Sequence, residues 1–220
     1  MASLSPLTGK LDKRLAKHLL RRTTFSYNQS KIDNFSNLTV SDAVDSLFNL
    51  TSDSLSQPKD PNDGYWIATS GIGGTTYGDQ INKRVYVSAW WFYNALRDTS
   101  IRHKMMLFLH NMFTIGNSSL DSHFVYDYLR LLNLYALGNI KELSVKMTTD
   151  NGMLAYLDNR ENIASVPNEN YAREFLELFT IGKGPQIGPT DYTTYTEADI
   201  VEAAKVFSGF RQNTDRGPAN

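Results

Sequence analysis

Apolar residues recur at helical spacing along most of the chain, and no stretch shows the sustained apolar–polar alternation of a half-buried strand. In "REFLELFTIG", for example, one apolar stripe of a helix contains Phe175, Leu176, Leu178 and Phe179. The pattern predicts an all-α fold, an irregular array of about seven or eight helices packed at mixed angles. The predicted helices cover residues 12–22, 40–50, 81–96, 101–113, 121–137, 140–148, 168–182 and 196–210.

The helical pattern stops between residues 51 and 80, where Ser, Gly, Pro, Asp and Asn dominate the composition. Irregular loops of this length are uncommon in compact domains and often form lids over binding sites. The stretch "GIGGTTYG" lacks the lysine of a phosphate-binding loop. We predict a long, irregular, lid-like loop near 51–80, inserted in a single helical domain that spans 1–220.

The overall composition removes several classes of function. The formal net charge is -1, so nothing steers the chain toward nucleic acid or an anionic membrane. The absence of cysteine excludes disulfides, thiolate metal sites and a cysteine nucleophile. No apolar run is long enough to cross a bilayer, and the N-terminus as written contains no signal peptide. We therefore expect neither nucleic-acid binding nor membrane insertion, and the compartment stays open.

The predicted helix at 168–182 carries two kinds of charged residue. Arg173 and Glu177 lie opposite the apolar stripe, where i,i+4 ion pairs of the ordinary surface kind are expected. Glu169 and Glu174 instead border the stripe, from where a carboxylate can reach into a cleft. Two interpretations follow, a capped helix with a solvated face and a functional site.

The segment before this helix, "YLDNRENIASVPNENY", is rich in carboxylate and amide oxygens. Such oxygens are the ligands that Ca²⁺ and Mg²⁺ prefer. The same residue types also build helix caps and Asx-turns, and no EF-hand spacing is present. A divalent-cation site and a hydrogen-bonded polar network are therefore both open for Asp158, Asn159, Asn162, Asn168 and Asn170.

Further candidate groups lie earlier in the chain. His110 occurs on a largely apolar helix and can act as a general base or as one metal ligand, or it can simply bond a backbone carbonyl. His103 is about 10 Å away along the same helix, too far to share a metal ion without other ligands. Arg21 and Arg22 are adjacent and can clamp an anion, or pair with acids of a neighbouring helix.

Four stretches resemble, in the same order, the bacterial family known as domain of unknown function 1800. They are "AKHLLRRTTF", "KMMLFLHNMF", "MLAYLDNRENIASVPNENYAREFLELFTIG" and "YTEADIVEAAKVFSGF". The resemblance implies no particular reaction. It does imply that such chains are often exported and often encoded beside a second family similar to sulfatases and alkaline phosphatases, which suggests a partner. Members are usually about twice as long, so the resemblance implies that this chain is the N-terminal half of a longer domain.

The resemblance also indicates which residues of this chain fall on the polar positions of the family pattern. Where the family commonly has Trp-His-x-His-Phe, this chain has Met112 in place of the second histidine. That departure weakens a two-histidine metal site and leaves His110 alone. The other polar positions of the family pattern fall on His18, Arg21, Arg22, Asp158, Asn159, Asn168, Glu169, Asn170, Arg173 and Glu174.

Two functional hypotheses follow. In the first, the chain is a hydrolase-like or metal-assisted enzyme with a polar pocket at the 158–174 corner and a divalent cation as a possible cofactor. In the second, it is a non-enzymatic binding or assembly protein that acts with a phosphatase- or sulfatase-like partner, and the polar motif is a structural network. The first hypothesis assigns catalysis to His110, Glu169 and Glu174, anion binding to Arg21 and Arg22, and the metal site or network to His18, Asp158, Asn159, Asn168, Asn170 and Arg173.

Overall fold

The computed structural model describes residues 6–50, 56–61, 64–65, 67, 77–116 and 120–213. Over these residues the chain forms ten α-helices, one 3₁₀ turn and one π-helical turn, with isolated β-bridges and no β-strand. The predicted all-α class is confirmed. The described part already holds more helices than the seven or eight that were predicted.

The helices follow one another along the chain without a repeated unit. The 3₁₀ turn covers Asn159–Glu161, and the π-helical turn covers Phe175–Thr180. The α-helices are α1 (Lys13–Thr23), α2 (Gln29–Ser36), α3 (Val40–Phe48), α4 (Tyr77–Arg97), α5 (Arg102–Met112), α6 (Ser122–Leu134), α7 (Ile140–Met147), α8 (Asn151–Tyr156), α9 (Glu169–Glu174) and α10 (Glu197–Val206).

The long predicted loop is only partly described, because residues 51–55, 62–63, 66 and 68–76 lie outside the described residues. Its last four residues are helical, since α4 begins at Tyr77 rather than at Ile81. The prediction placed the start too late because "YGDQ" is polar, although the first turn of a helix tolerates polar residues well. The longest of the described helices, α4, has 21 residues but is not apolar enough to span a membrane, and no other described helix is both long and apolar enough.

Two helices, α2 and α8, have no counterpart among the predicted ones. The first buries only Ile32 and Phe35, and the second is six residues long. Both are shorter than the window over which helical periodicity can be recognised. Each begins at a side-chain cap, Asn28 for α2 and Asp150 for α8, which is the local feature that favours a helix there.

The chain divides into two compact units, and each is described by itself. Unit 1 comprises Met1–Ser56 and Ser88–Leu107, and unit 2 comprises Gln57–Val87 and Phe108–Asn220. The single domain over 1–220 stays a prediction. In unit 1, α1 to α3 pack around a hydrophobic cluster formed by Leu11, Ala16, Leu20, Ile32, Phe35, Ala43 and Leu47.

In unit 2, α9 packs against α10 through small and aromatic side chains. Ala172 and Ala204 are fully buried and allow the two helices to approach closely. The rings of Tyr171, Phe175 and Phe207 lie against one another at centroid distances of 5.3–6.1 Å. A capping box begins α10, with the side chains of Thr196 and Asp199 each bonding the other's backbone N–H. This packing fixes where the polar corner before α9 lies.

Candidate functional site

Three asparagines of the oxygen-rich segment form one chain of hydrogen bonds. The side-chain amide of Asn162 donates to Asn159 Oδ1 at 2.9 Å, and its own Oδ1 accepts the Asn168 N–H at 2.8 Å. Asn168 Oδ1 in turn accepts the Tyr171 N–H at 3.2 Å and so caps α9. Asn159 and Asn162 are buried. The amide oxygens of all three residues therefore serve to fold this segment.

The same network reaches the C-terminal end of α10. Asn159 Nδ2 donates to the Phe207 carbonyl and Asn162 Nδ2 to the Ala204 carbonyl, both at 3.1 Å. The Asn162 carbonyl accepts the Gly209 N–H at 3.0 Å. Carbonyls at the end of a helix have no partner within it, so these side chains satisfy groups that would otherwise be buried unpaired. The network thus ties the segment before α9 to α10.

The remaining oxygen-bearing residues of the corner do not gather around a common point. Asp158 is exposed and adopts a left-handed conformation with φ 55°, which aspartate tolerates better than most residues. Asn170 is also exposed. Within the described part of the chain, no three His, Asp or Glu side chains lie close enough to hold a metal ion. The divalent-cation site stays a prediction.

Arg173 and Glu177 are bound differently from the expected i,i+4 pairs along one helix. The guanidinium of Arg173 binds both carboxylate oxygens of Glu197 on α10, and Glu177 accepts from Lys183 at 2.6 Å and from the Tyr195 hydroxyl at 2.9 Å. These contacts replace the predicted i,i+4 pairs, because a bidentate carboxylate across the α9–α10 interface fits the planar guanidinium of Arg173 better. The hydrogen bond from Arg173 holds the pKa of Glu197 below its usual range.

His110 takes part in a relay whose proton positions can be assigned. Its Nδ1 lies 2.8 Å from the Tyr128 hydroxyl, which lies 2.8 Å from the Phe113 carbonyl. A carbonyl only accepts, so Tyr128 donates to Phe113, and His110 Nδ1–H donates to the tyrosine oxygen. Burial lowers the pKa of His110 and favours the neutral ring. That ring carries its lone pair on Nε2, the form that suits a base or a metal ligand.

Asp150, close to this relay, is absent from the predicted site residues. It caps α8 by accepting the Met153 N–H at 2.9 Å. Burial of the carboxyl group, assisted by the charge of Asp127, raises its pKa from 3.8 to about 7. An aspartate before a short helix is a visible capping signal, but its burial depends on the fold and cannot be seen in the sequence.

A cleft of about 480 Å³ lies in unit 2 between the C-terminal ends of α5 and α8 and the junction of α9 with the π-helical turn. Glu174 is half-buried and is the single charged residue among the described residues that line it. The other polar groups are an amide, a hydroxyl and a phenol. The lining residues are Asn111, Met112, Thr114, Tyr156, Leu157, Glu174, Leu178 and Phe179.

Leu178 belongs to this cleft rather than to the buried stripe in which it was predicted. Its side chain is 61% exposed, whereas Phe175 and Phe179 are buried as predicted. The reason is the π-helical winding, since i→i+5 bonding changes the angular position of each residue relative to an α-helix. The turn ends where the N–H groups of Ile181 and Gly182 both bond the Leu176 carbonyl, at 3.0 Å each. Such π segments occur frequently at functional sites.

The predicted site residues therefore occupy different places. Glu174 lines the cleft, and His110 lies on α5 next to Asn111, with its carbonyl accepting the Thr114 hydroxyl at 2.9 Å. Glu169 is exposed in the first turn of α9 and does not line the cleft. The cleft residues Asn111, Thr114 and Tyr156 were missed, although the first two follow His110 by one and four residues. His18, Arg21 and Arg22 are exposed on α1, in unit 1.

Comparison with known proteins gives one match. A family model described as "Protein of unknown function (DUF1800)" matches residues 18–220 of the chain. No curated protein and no solved structure matches it significantly. The match covers three of the four stretches on which the resemblance was based in full, and the first of them from His18 onward.

Proposed function

We propose that this chain, which belongs to the DUF1800 family, is a hydrolase-like enzyme that binds its substrate in the cleft beside Glu174. The observation that carries the proposal is the combination of a half-buried carboxylate with amide, hydroxyl and phenol groups in one cleft. Ligand pockets of this kind are mostly apolar, with a few polar groups that orient the substrate. The cleft volume of about 480 Å³ suits a small molecule or the end of a longer one.

Glu174 is assigned the role of general base and then general acid. Its carboxylate takes a proton from a water molecule as the water oxygen bonds to the ester carbonyl carbon. The same proton then passes to the leaving oxygen as the ester C–O bond breaks. Asn111 and Tyr156, which line the same cleft, are assigned the role of donating hydrogen bonds to the negative charge that develops on the carbonyl oxygen. Leu178 and Phe179 line the same cleft and are assigned the apolar part of the ester.

The network around α9 supports this role. Asn168 caps the first turn of α9, and the Arg173–Glu197 pair holds the same helix against α10. Glu174 follows Arg173 directly, so both contacts restrict the position of its backbone. Several residues of the polar motif thereby act as positioning residues for one carboxylate.

The same network favours a second candidate function. Since Asn159, Asn168 and Arg173 satisfy groups within the protein, much of the polar motif serves packing rather than chemistry. A binding or assembly protein that acts with a phosphatase- or sulfatase-like partner requires no more than this. The two candidate functions differ at Glu174, because the enzyme requires its carboxyl group for proton transfer and the binding or assembly protein does not.

Replacing Glu174 with glutamine is expected to lower kcat/KM for hydrolysis of p-nitrophenyl acetate by about 100-fold or more, because an amide cannot transfer the proton. The matched control is Glu169→Gln, which removes the same charge from an exposed position on the same helix and is expected to leave the rate unchanged. The measurement is release of p-nitrophenolate by the purified full chain, corrected for the rate in buffer.

Equal rates for the two variants, or a wild-type rate no higher than that of buffer, would favour the assembly function instead. Repeating the assay after treatment with EDTA separates two versions of the enzyme proposal. Side-chain acid–base catalysis predicts an unchanged rate, whereas metal-assisted hydrolysis predicts that the rate is lost and returns when a divalent cation is added.

A further inference from the structure

We infer that the cleft selects ligands that carry a positive charge next to an apolar group, such as an amine attached to a ring or a short alkyl chain. The inference rests on the proposed function and names the substrate class for the same site. Three features of unit 2 carry it: the charges around the cleft, its aromatic wall and its apolar side.

The first feature is a carboxylate without a counter-ion. The basic residues nearest in sequence are already bound to other acids, Arg173 to Glu197 and Lys183 to Glu177. The carboxylate of Glu174 has no ion-pair or hydrogen-bond partner among the residues that the structure describes. A cation entering the cleft therefore meets one uncompensated negative charge.

The second feature is the aromatic wall. Tyr156 and Phe179 line the same cleft as Glu174, and aromatic faces attract cations. The Tyr156 ring is held closely against Gly116, since a methyl group added there would lie 3.0 Å from a ring carbon. A glycine at this position thus allows the ring to pack where a larger residue would displace it. The aromatic wall and the Glu174 carboxylate therefore both favour a ligand with a positive charge.

The third feature is the apolar side of the cleft. Met112, Leu157 and Leu178 line it, and Leu178 keeps 61% of its surface exposed. Burial of an apolar ligand group against these side chains is favourable in proportion to the area removed from water. No Lys, Arg or His is among the described lining residues. An anionic ligand would therefore bring its charge to Glu174 without a compensating cation.

The test uses three probes that share one ring and differ in charge: benzylammonium, benzyl alcohol and benzoate. Their dissociation constants for the full chain are measured by isothermal titration calorimetry at neutral pH. Benzylammonium is expected to bind about tenfold more tightly than benzyl alcohol, the effect of one charge-assisted contact, and benzoate to bind most weakly. Glu174→Gln is expected to remove the preference for benzylammonium, and Glu169→Gln to retain it.

Benzoate binding as tightly as benzylammonium, a preference that survives in Glu174→Gln, or no saturable binding of any probe would each overturn the inference. Unchanged circular dichroism spectra verify that both variants are folded. The results also separate the inference from the proposed function. If benzoate is preferred while Glu174→Gln still loses ester hydrolysis, the charge selectivity fails and the enzyme stands. If benzylammonium is preferred but Glu174→Gln hydrolyses the ester normally, the selectivity stands and the catalytic role fails.

Discussion

Replacement of Asn162 by alanine is expected to lower the free energy of unfolding by about 3 kcal/mol, because three hydrogen bonds of a buried amide are lost together. The side chain bonds Asn159, the Ala204 carbonyl and the Asn168 N–H. The residue is 1% exposed, so water cannot readily replace the amide. Urea unfolding followed by circular dichroism measures the change.

The matched control is Asn170→Ala, the same substitution at an exposed position in the first turn of α9. Substitutions at such surface positions usually change stability by less than about 0.5 kcal/mol. A similarly small effect for Asn162→Ala would show that the segment before α9 does not depend on its asparagine network.

The second large effect is a pH dependence of stability that is caused by Asp150. Its pKa is raised from 3.8 to about 7 in the folded protein, so between these values the folded state binds more protons than the unfolded state. Stability therefore falls as the pH rises through this window, by at most ~4 kcal/mol. Asp150→Asn is expected to remove this fall, because an uncharged amide can still cap α8 and is not penalised by burial. The measurement is the free energy of unfolding in urea as a function of pH.

The control for this experiment is Asp158→Asn, which neutralises an exposed carboxylate in the same unit. The pH dependence of the control is expected to match that of the wild type. The neutral form of His110 contributes a slope of the opposite sign, since its lowered pKa makes stability fall as the pH drops below 6.5. His110 contributes equally in wild type and in Asp150→Asn, so its contribution drops out when their free energies of unfolding are subtracted at each pH. Identical pH profiles for wild type and Asp150→Asn would contradict the assigned burial of this carboxyl group.

The long helices could be predicted from the sequence because their apolar positions repeat over several turns. The capping box of Thr196 and Asp199 and the left-handed Gly182 after the π-helical turn were also readable, since both depend on neighbours in the chain. Shorter helices such as α2 and α8 were missed because one or two turns give too few positions. The π-helical turn has no sequence signature of this kind, and Leu178, which lies within the turn, is exposed outside the predicted stripe.

The candidate site was predictable only where the position of a residue around a single helix determined which way its side chain faces. The position of Glu174 at the border of the apolar stripe indicated that its carboxylate could reach a cleft, and it does line one. The partner of Arg173 could not be inferred, because Glu197 becomes its neighbour only when α9 packs against α10. The raised pKa of Asp150 likewise depends on burial by other elements. Residues such as Asn111 and Tyr156 gain a possible role only through the folded shape of the cleft.

Inhibition of ester hydrolysis by benzylammonium tests most directly the central claim that the cleft beside Glu174 is the functional site. If the cleft binds both molecules, the inhibition is competitive: the apparent KM rises, kcat stays constant, and the inhibition constant equals the dissociation constant from calorimetry. Full hydrolytic activity at saturating benzylammonium would contradict the claim, because hydrolysis would then occur elsewhere in the protein.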